Sequence, residues 1–228
     1  MEQLLPHRFL FRFQIPCRYR ADVPKPHPSP PRGTTDREGM LDLPQSHTLV
    51  SFADMDEATD FGEVRMAWNE RGLGISVRVI GATKPPRCDP GRPINSDGLQ
   101  VWIDTRDART VHRATRFCHH FAFLPSGGGR HRREPWVAQF RINRAREDQQ
   151  LGDLSLVKVS CEERSGGYLL EAFLPAEVLT GYDPAENPRL GFFYWLKDSE
   201  LGSQSLTAIR DLPVAEDPSL WSVLELVR

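Results

Sequence analysis

The 228-residue chain is long for one domain and short for two. Its 39% apolar and 26% charged residues, with a net charge of −2, describe a globular protein and exclude a disordered tail or a collagen-like repeat. No apolar run approaches the roughly 18–20 residues of a membrane helix. Met1–Arg20, interrupted by Pro6, His7, Arg8 and Arg12, has no secretory h-region, so a cytoplasmic protein without membrane association is expected.

Helical periodicity is nearly absent. Short alternating runs separated by Gly, Pro, Asp and Asn recur instead, the pattern of an antiparallel sandwich or barrel. Arg8–Ile15 places Phe9, Phe11, Phe13 and Ile15 on one face. Pro16–Gln45 follows with seven prolines; proline fixes φ and lacks a ladder donor, so a loop excursion is expected there. Glu63–Asn69 and Leu73–Ile80 flank Glu70–Gly72 as a hairpin. Strands are then predicted over Asp97–Thr105, Arg116–Leu124, Trp136–Asn143, Leu154–Cys161, Tyr168–Leu174, Leu190–Lys197, Ser205–Ile209 and Trp221–Val227. Only Pro175–Leu179 suits a turn or two of helix. The predicted fold is all-β: an antiparallel β-sandwich with jelly-roll or immunoglobulin-like layering and very little helix. It forms one domain over 1–228, with a Pro-rich excursion at 16–45 and a basic, insert-bearing region at 106–146.

The near-neutral charge is unevenly distributed. Between Arg106 and Arg146, ten arginines face only Asp107 and Glu134, which makes this segment +8 and leaves −10 for the rest. Such a segment can attract an anionic partner, or its arginines can be solvated and paired with acids elsewhere. Cys17, Cys88, Cys118 and Cys161 contain no CxxC pair and are expected as free thiols. Cys88, Cys118, His119 and His120 match no zinc spacing. Gly127–Gly129 runs into Arg130 rather than into a helix and reads as a hairpin tip, not a phosphate loop. Asp97, Asp104, Asp107, Glu171 and Asp198 offer carboxylates, but no spacing pairs two of them across a cleft for glycoside hydrolysis.

Several runs carry a resemblance. Ala67-Trp68-Asn69-Glu70-Arg71-Gly72-Leu73 is similar to the hairpin that opens many family 9 carbohydrate-binding modules. Ser96–Asp104, Gly167–Pro175, Arg189–Phe193 through Asp198, and Leu220–Leu224 resemble further strands of that family, in its order. The resemblance implies a β-sandwich shared with DOMON domains that holds a sugar between aromatic rings and lacks catalytic residues of its own. It also implies structural calcium as an option, with no other cofactor expected. Two features depart from the family pattern: Gly91–Asn95 carries no aromatic where the family commonly places a tryptophan, and Arg106–Arg116 has no counterpart. A changed pocket, suited to an acidic ligand, reconciles these departures with the arginines.

Alternation in Asp97–Thr105 turns Leu99, Val101 and Ile103 to the core and Gln100, Trp102 and Asp104 outward. A ring flanked by hydrogen-bonding groups suits the CH-rich faces and hydroxyls of a pyranose; alternatively, Trp102 packs under a loop and Asp104 caps the next turn. In the next run, Phe117, His119, Phe121 and Phe123 share one face, which makes His119 a core or rim histidine. Arg116 and His120 share the other. Phe193, Trp195 and Lys197 face together. Trp102, Gln100, Arg116, His120 and Trp195 are therefore the candidate ligand contacts, with a metal site left unassigned and Trp136 an outside candidate. The expected partner is a carbohydrate, bound without catalysis. Nucleic acid is not expected, and a protein partner is left open. The alternative is an interaction module that binds a protein or an anionic partner through its Arg-rich face.

Overall fold

Eleven strands form among the described residues, all in one continuous sheet whose central strands are buried on both faces. The computed structural model describes residues 12–25, 39–50, 60–207 and 212–228. The strands are β1 (Gln14–Tyr19), β2 (Gly62–Asn69), β3 (Gly72–Ile80), β4 (Gly98–Asp104), β5 (Cys118–Gly128) and β6 (Glu134–Phe140). They continue as β7 (Lys158–Arg164), β8 (Gly167–Pro175), β9 (Arg189–Asp198), β10 (Gly202–Ser205) and β11 (Ser222–Val227). Their order is β6-β5-β4-β9-β11-β1-β2-β3-β8-β7, with β10 paired to β9.

The sheet folds into two leaves. One holds β6, β5, β4, β9 and β11, the other β2, β3, β8 and β7. Pairing is antiparallel throughout, except that β1 runs parallel to both β11 and β2 and so stitches the leaves together. Leu99, Val101, Ile103, Phe121, Phe123, Phe192 and Tyr194 from the first leaf meet Val64, Met66, Ile75, Val77, Leu170 and Leu174 from the second in a common core. The all-β sandwich predicted from alternation is the fold observed.

The structure differs from the predicted elements at a few positions. The first strand lies at Gln14–Tyr19, so the predicted excursion begins inside a sheet element. Ile15 and Cys17 are buried on one side and carry the strand through Pro16, which stands on the exposed side. The Arg8–Phe11 part of the predicted strand lies outside the described residues. Leu154–Leu156 is a single 3-10 turn, because the Asp153 side chain accepts from the Ser155 amide and closes it; the strand starts at Lys158. Residues Ala176–Val178 form the one short 3-10 turn expected after Pro175. β10 ends at Ser205, and Ile209 of that predicted strand lies outside the described residues.

Both outer faces are partly roofed. Val23, Leu41 and Leu43 cover Ala67 and Phe173 on the second leaf. On the first, Trp221 lies over Gly191, where an added Cβ would sit 3.7 Å from the indole, and its Nε1 donates to the Val214 carbonyl at 2.7 Å. All four cysteines are free. Among the described residues no helix is long and apolar enough to cross a membrane.

Candidate functional site

The register of β6, β5, β4 and β9 lays the outer face of the first leaf out as a grid. One row reads Ala138, Ala122, Gln100 and Trp195; the next reads Phe140, His120, Trp102 and Phe193. Trp136 and Lys197 share this face one position nearer the turns where β4 begins. Four of the predicted contact residues thus converge as cross-strand neighbours, the spacing at which side chains on one sheet face interact.

Within the second row the rings interlock. His120 stacks on Trp102 with centroids 4.2 Å apart and planes 11° from parallel, while Phe193 and Phe140 flank the pair at 5.6 and 5.1 Å. Trp102 is only 2% exposed. The packing alternative for Trp102 therefore describes its position, and Asp104 likewise caps the following turn by accepting from the Arg106 and Ala108 amides. The Trp102 Nε1 is buried without a hydrogen-bond partner among the described residues.

A polar relay leads from this stack toward solvent. The Gln100 Nε2 donates to the Ile94 carbonyl at 3.2 Å, which leaves its Oε1 to accept from His120 Nε2 at 3.1 Å. His120 is accordingly the neutral tautomer protonated on Nε2. Burial pushes its pKa down to about 4, so it stays neutral near pH 7. Beside Gln100 stands Trp195, 37% exposed and so partly open to solvent. Lys197 donates to the Asn95 carbonyl at 3.0 Å, while the side-chain carboxamide of exposed Asn95 makes no hydrogen bond among the described residues.

Arg116 does not join this group. It lies two residues before β5, at the far end of the strands, with its guanidinium 4.9 Å from the Phe117 ring centroid and Arg106 at 4.8 Å from the same centroid. His119 points to the opposite side of β5, next to Phe121, and contacts the Thr180 carbonyl and the Gln139 amide. Trp136 is half-buried. The loop contribution of Ile94 and Asn95 was missed by sequence reasoning. Its only signal was the neighbouring Lys197, whose face the alternation identified.

The basic segment is divided by the sheet. Arg106–Arg116 and Arg141–Arg146 gather at one end, where Arg109 pairs with Asp107 at 2.9 Å, Arg144 with Glu216 at 3.6 Å, and Arg113 donates to the Arg144 carbonyl. Arg130–Arg133 lie beyond the other end of β5, about 33 Å away at roughly 3.3 Å per residue. These arginines do not form a single face.

The carboxylates do not fit a calcium site. Asp97 accepts from the Arg87 amide and the Ser199 hydroxyl, Asp198 from the Glu200 and Leu201 amides, and Glu171 from the Leu41 and Asp42 amides. Asp107 is taken by arginine. Among the described residues no three His, Cys, Asp or Glu side chains converge as metal ligands would.

No protein-family model matches the sequence, and no curated protein matches it. Solved structures do match. A family 9 carbohydrate-binding module from Caldicellulosiruptor kristjanssonii in complex with cellotriose aligns with a TM-score of 0.51 and 15% identity, covering 75% of this chain and 77% of that one. The module in complex with glucose aligns with a TM-score of 0.52 and 14% identity, covering 74% and 78%. By this structural match, the chain has the fold of a family 9 carbohydrate-binding module.

Proposed function

We propose that this protein binds a saccharide on the outer face of β4 and β9, without catalysis. The observation that carries this reading is Trp195: a partly exposed indole, set beside the Gln100–His120 relay and near the exposed Asn95 side-chain carboxamide. An apolar ring with a few convergent polar groups is the composition of a sugar subsite. Trp102 and Phe193 take the role of a rigid bed beneath it rather than of contact residues, and Arg116 takes no part. The sugars in the two aligned modules, cellotriose and glucose, support the ligand class.

Titration calorimetry with cellotriose and glucose tests this. The expected result is measurable binding that Trp195→Ala weakens roughly tenfold or more, about 1.4 kcal/mol per factor of ten, in a variant whose circular dichroism shows it still folded. Binding that survives Trp195→Ala, or no binding of any sugar at millimolar concentration, would overturn it.

A further inference from the structure

Three connections meet at the end of the first leaf where β4 begins: the β3–β4 loop, the β5–β6 turn and the β9–β10 turn. They bring together Arg87 and Arg92, then Arg130, Arg132 and Arg133, with Lys197 at the end of β9. The five arginines are exposed, and among the described residues none of these six cations has an ion-pair partner. At the other end Arg109 pairs with Asp107 and Arg144 with Glu216.

Five carboxylates also lie at this end, Asp89, Asp97, Glu134, Asp198 and Glu200, and among the described residues none of them forms an ion pair with these six cations. Asp97 is buried and accepts from the Arg87 amide. Asp89 accepts from the Gly91 amide of its own turn, and the Glu134 carboxylate lies against Gly129.

The backbone that carries these arginines is also well defined. The Gly127 amide donates to the Arg132 carbonyl at 3.0 Å, and the Arg132 amide donates back to the Gly129 carbonyl at 3.3 Å. Gly127 and Arg132 have φ of 119° and 54°, which suits glycine at the first and makes a defined turn at the second. Pro90 fills the space beside Gly127, 2.7 Å from where a Cβ would stand, so the loop carrying Arg87 and Arg92 is packed against the turn carrying Arg130–Arg133. Trp136 shares this corner on the outer face. Three strand spacings of about 4.8 Å separate the strands of Trp136 and Trp195, roughly 14 Å, the span of a short oligosaccharide.

We infer that this corner extends the sugar-binding face into an anionic subsite, so that the preferred ligand is an acidic oligosaccharide. A ring rests on Trp195 while the arginines of the two loops fork onto its carboxylates or sulfates, the geometry for which guanidinium is suited. The inference rests on the saccharide reading above. A saccharide is favoured over a nucleic acid because this cluster of cations adjoins the outer-face aromatics Trp136 and Trp195 and the polar groups beside them.

The test compares cellotriose with the trimer of β-1,4-glucuronate, which differs only in its C6 carboxylates. Calorimetry at low salt is expected to show the glucuronate binding at least tenfold tighter, an advantage that shrinks as salt screens exposed charges. The triple substitution Arg130→Gln, Arg132→Gln, Arg133→Gln is expected to abolish the advantage while leaving cellotriose binding unchanged, and Arg92→Gln in the other loop to reduce it. If cellotriose binds in a Trp195-dependent way but the glucuronate binds no tighter, only the anionic subsite falls. If neither sugar binds, the saccharide reading falls and takes this one with it. Tighter binding of a single-stranded oligonucleotide than of the glucuronate also overturns it.

Discussion

Trp102 and Trp221 are both 2% exposed, yet their indole nitrogens have opposite fates. Trp221 Nε1 donates to the Val214 carbonyl; Trp102 Nε1 has no partner among the described residues. An unmet buried donor costs roughly 1–3 kcal/mol, and a lost bond leaves its acceptor unmet in turn. Replacing either by phenylalanine removes a similar volume, but Trp221→Phe orphans a carbonyl whereas Trp102→Phe deletes an orphan. Urea unfolding should therefore show Trp221→Phe to be the more destabilising by about 1–2 kcal/mol; equal or reversed costs would contradict this account. Alternation in Gln100–Asp104 identified which side chains leave the core, but it could not tell what lies over them. The roof over Gly191 comes from Trp221, far away in sequence, and no local pattern announces it.

At the scale of elements, β10 is only four residues long but fastens two parts of the sheet. Its buried Gln204 accepts from the Phe61 and Gly62 amides at 3.0 and 2.8 Å, donates to the Gly62 carbonyl at 2.7 Å, and donates to the Tyr194 hydroxyl at 3.3 Å. One amide thus ties the start of β2, in one leaf, to β9 and β10 in the other. Gln204→Ala should leave those groups unmet and cost about 2–4 kcal/mol. Amide exchange at Phe61 and Gly62 should quicken, whereas Ser203→Ala on the exposed side should do neither. Unchanged exchange at those amides would refute the clamp. Strands with strict alternation, such as Leu73–Ile80 and Leu190–Lys197, were legible because one face of each is fully apolar. β10 and β1 were harder: Gly-Ser-Gln-Ser has no apolar face, and Pro16 interrupts a strand whose burial is set by parallel neighbours on both sides.

For the molecule as a whole, a formal charge near zero conceals two buried histidines that are expected to make it sensitive to acid. His119 faces the core and His120 the roofed outer layer, on opposite sides of β5, and burial pushes both down to about 4. Their recorded contacts are neutral: the Thr180 carbonyl, Gln139 and Phe121 for one, and Gln100, Trp102 and Phe140 for the other. A folded-state pKa below the ordinary 6.5 means that the unfolded chain takes up protons first as pH drops. The stabilisation is thus fully present above about pH 6.5 and is lost as pH falls toward about 4. At about 1.4 kcal/mol per unit, each histidine contributes at most about 3 kcal/mol. The urea midpoint should be level from neutral to mildly basic pH and fall steeply below the ordinary histidine range. His120→Gln, which keeps a donor for Gln100, should flatten part of that fall, and the double variant with His119→Gln most of it. A wild-type slope that persists in the double variant would assign the acid sensitivity to the carboxylates instead. Because His120 donates to Gln100, the neighbour of Trp195, the proposed saccharide binding should weaken over the same pH range, ahead of global unfolding.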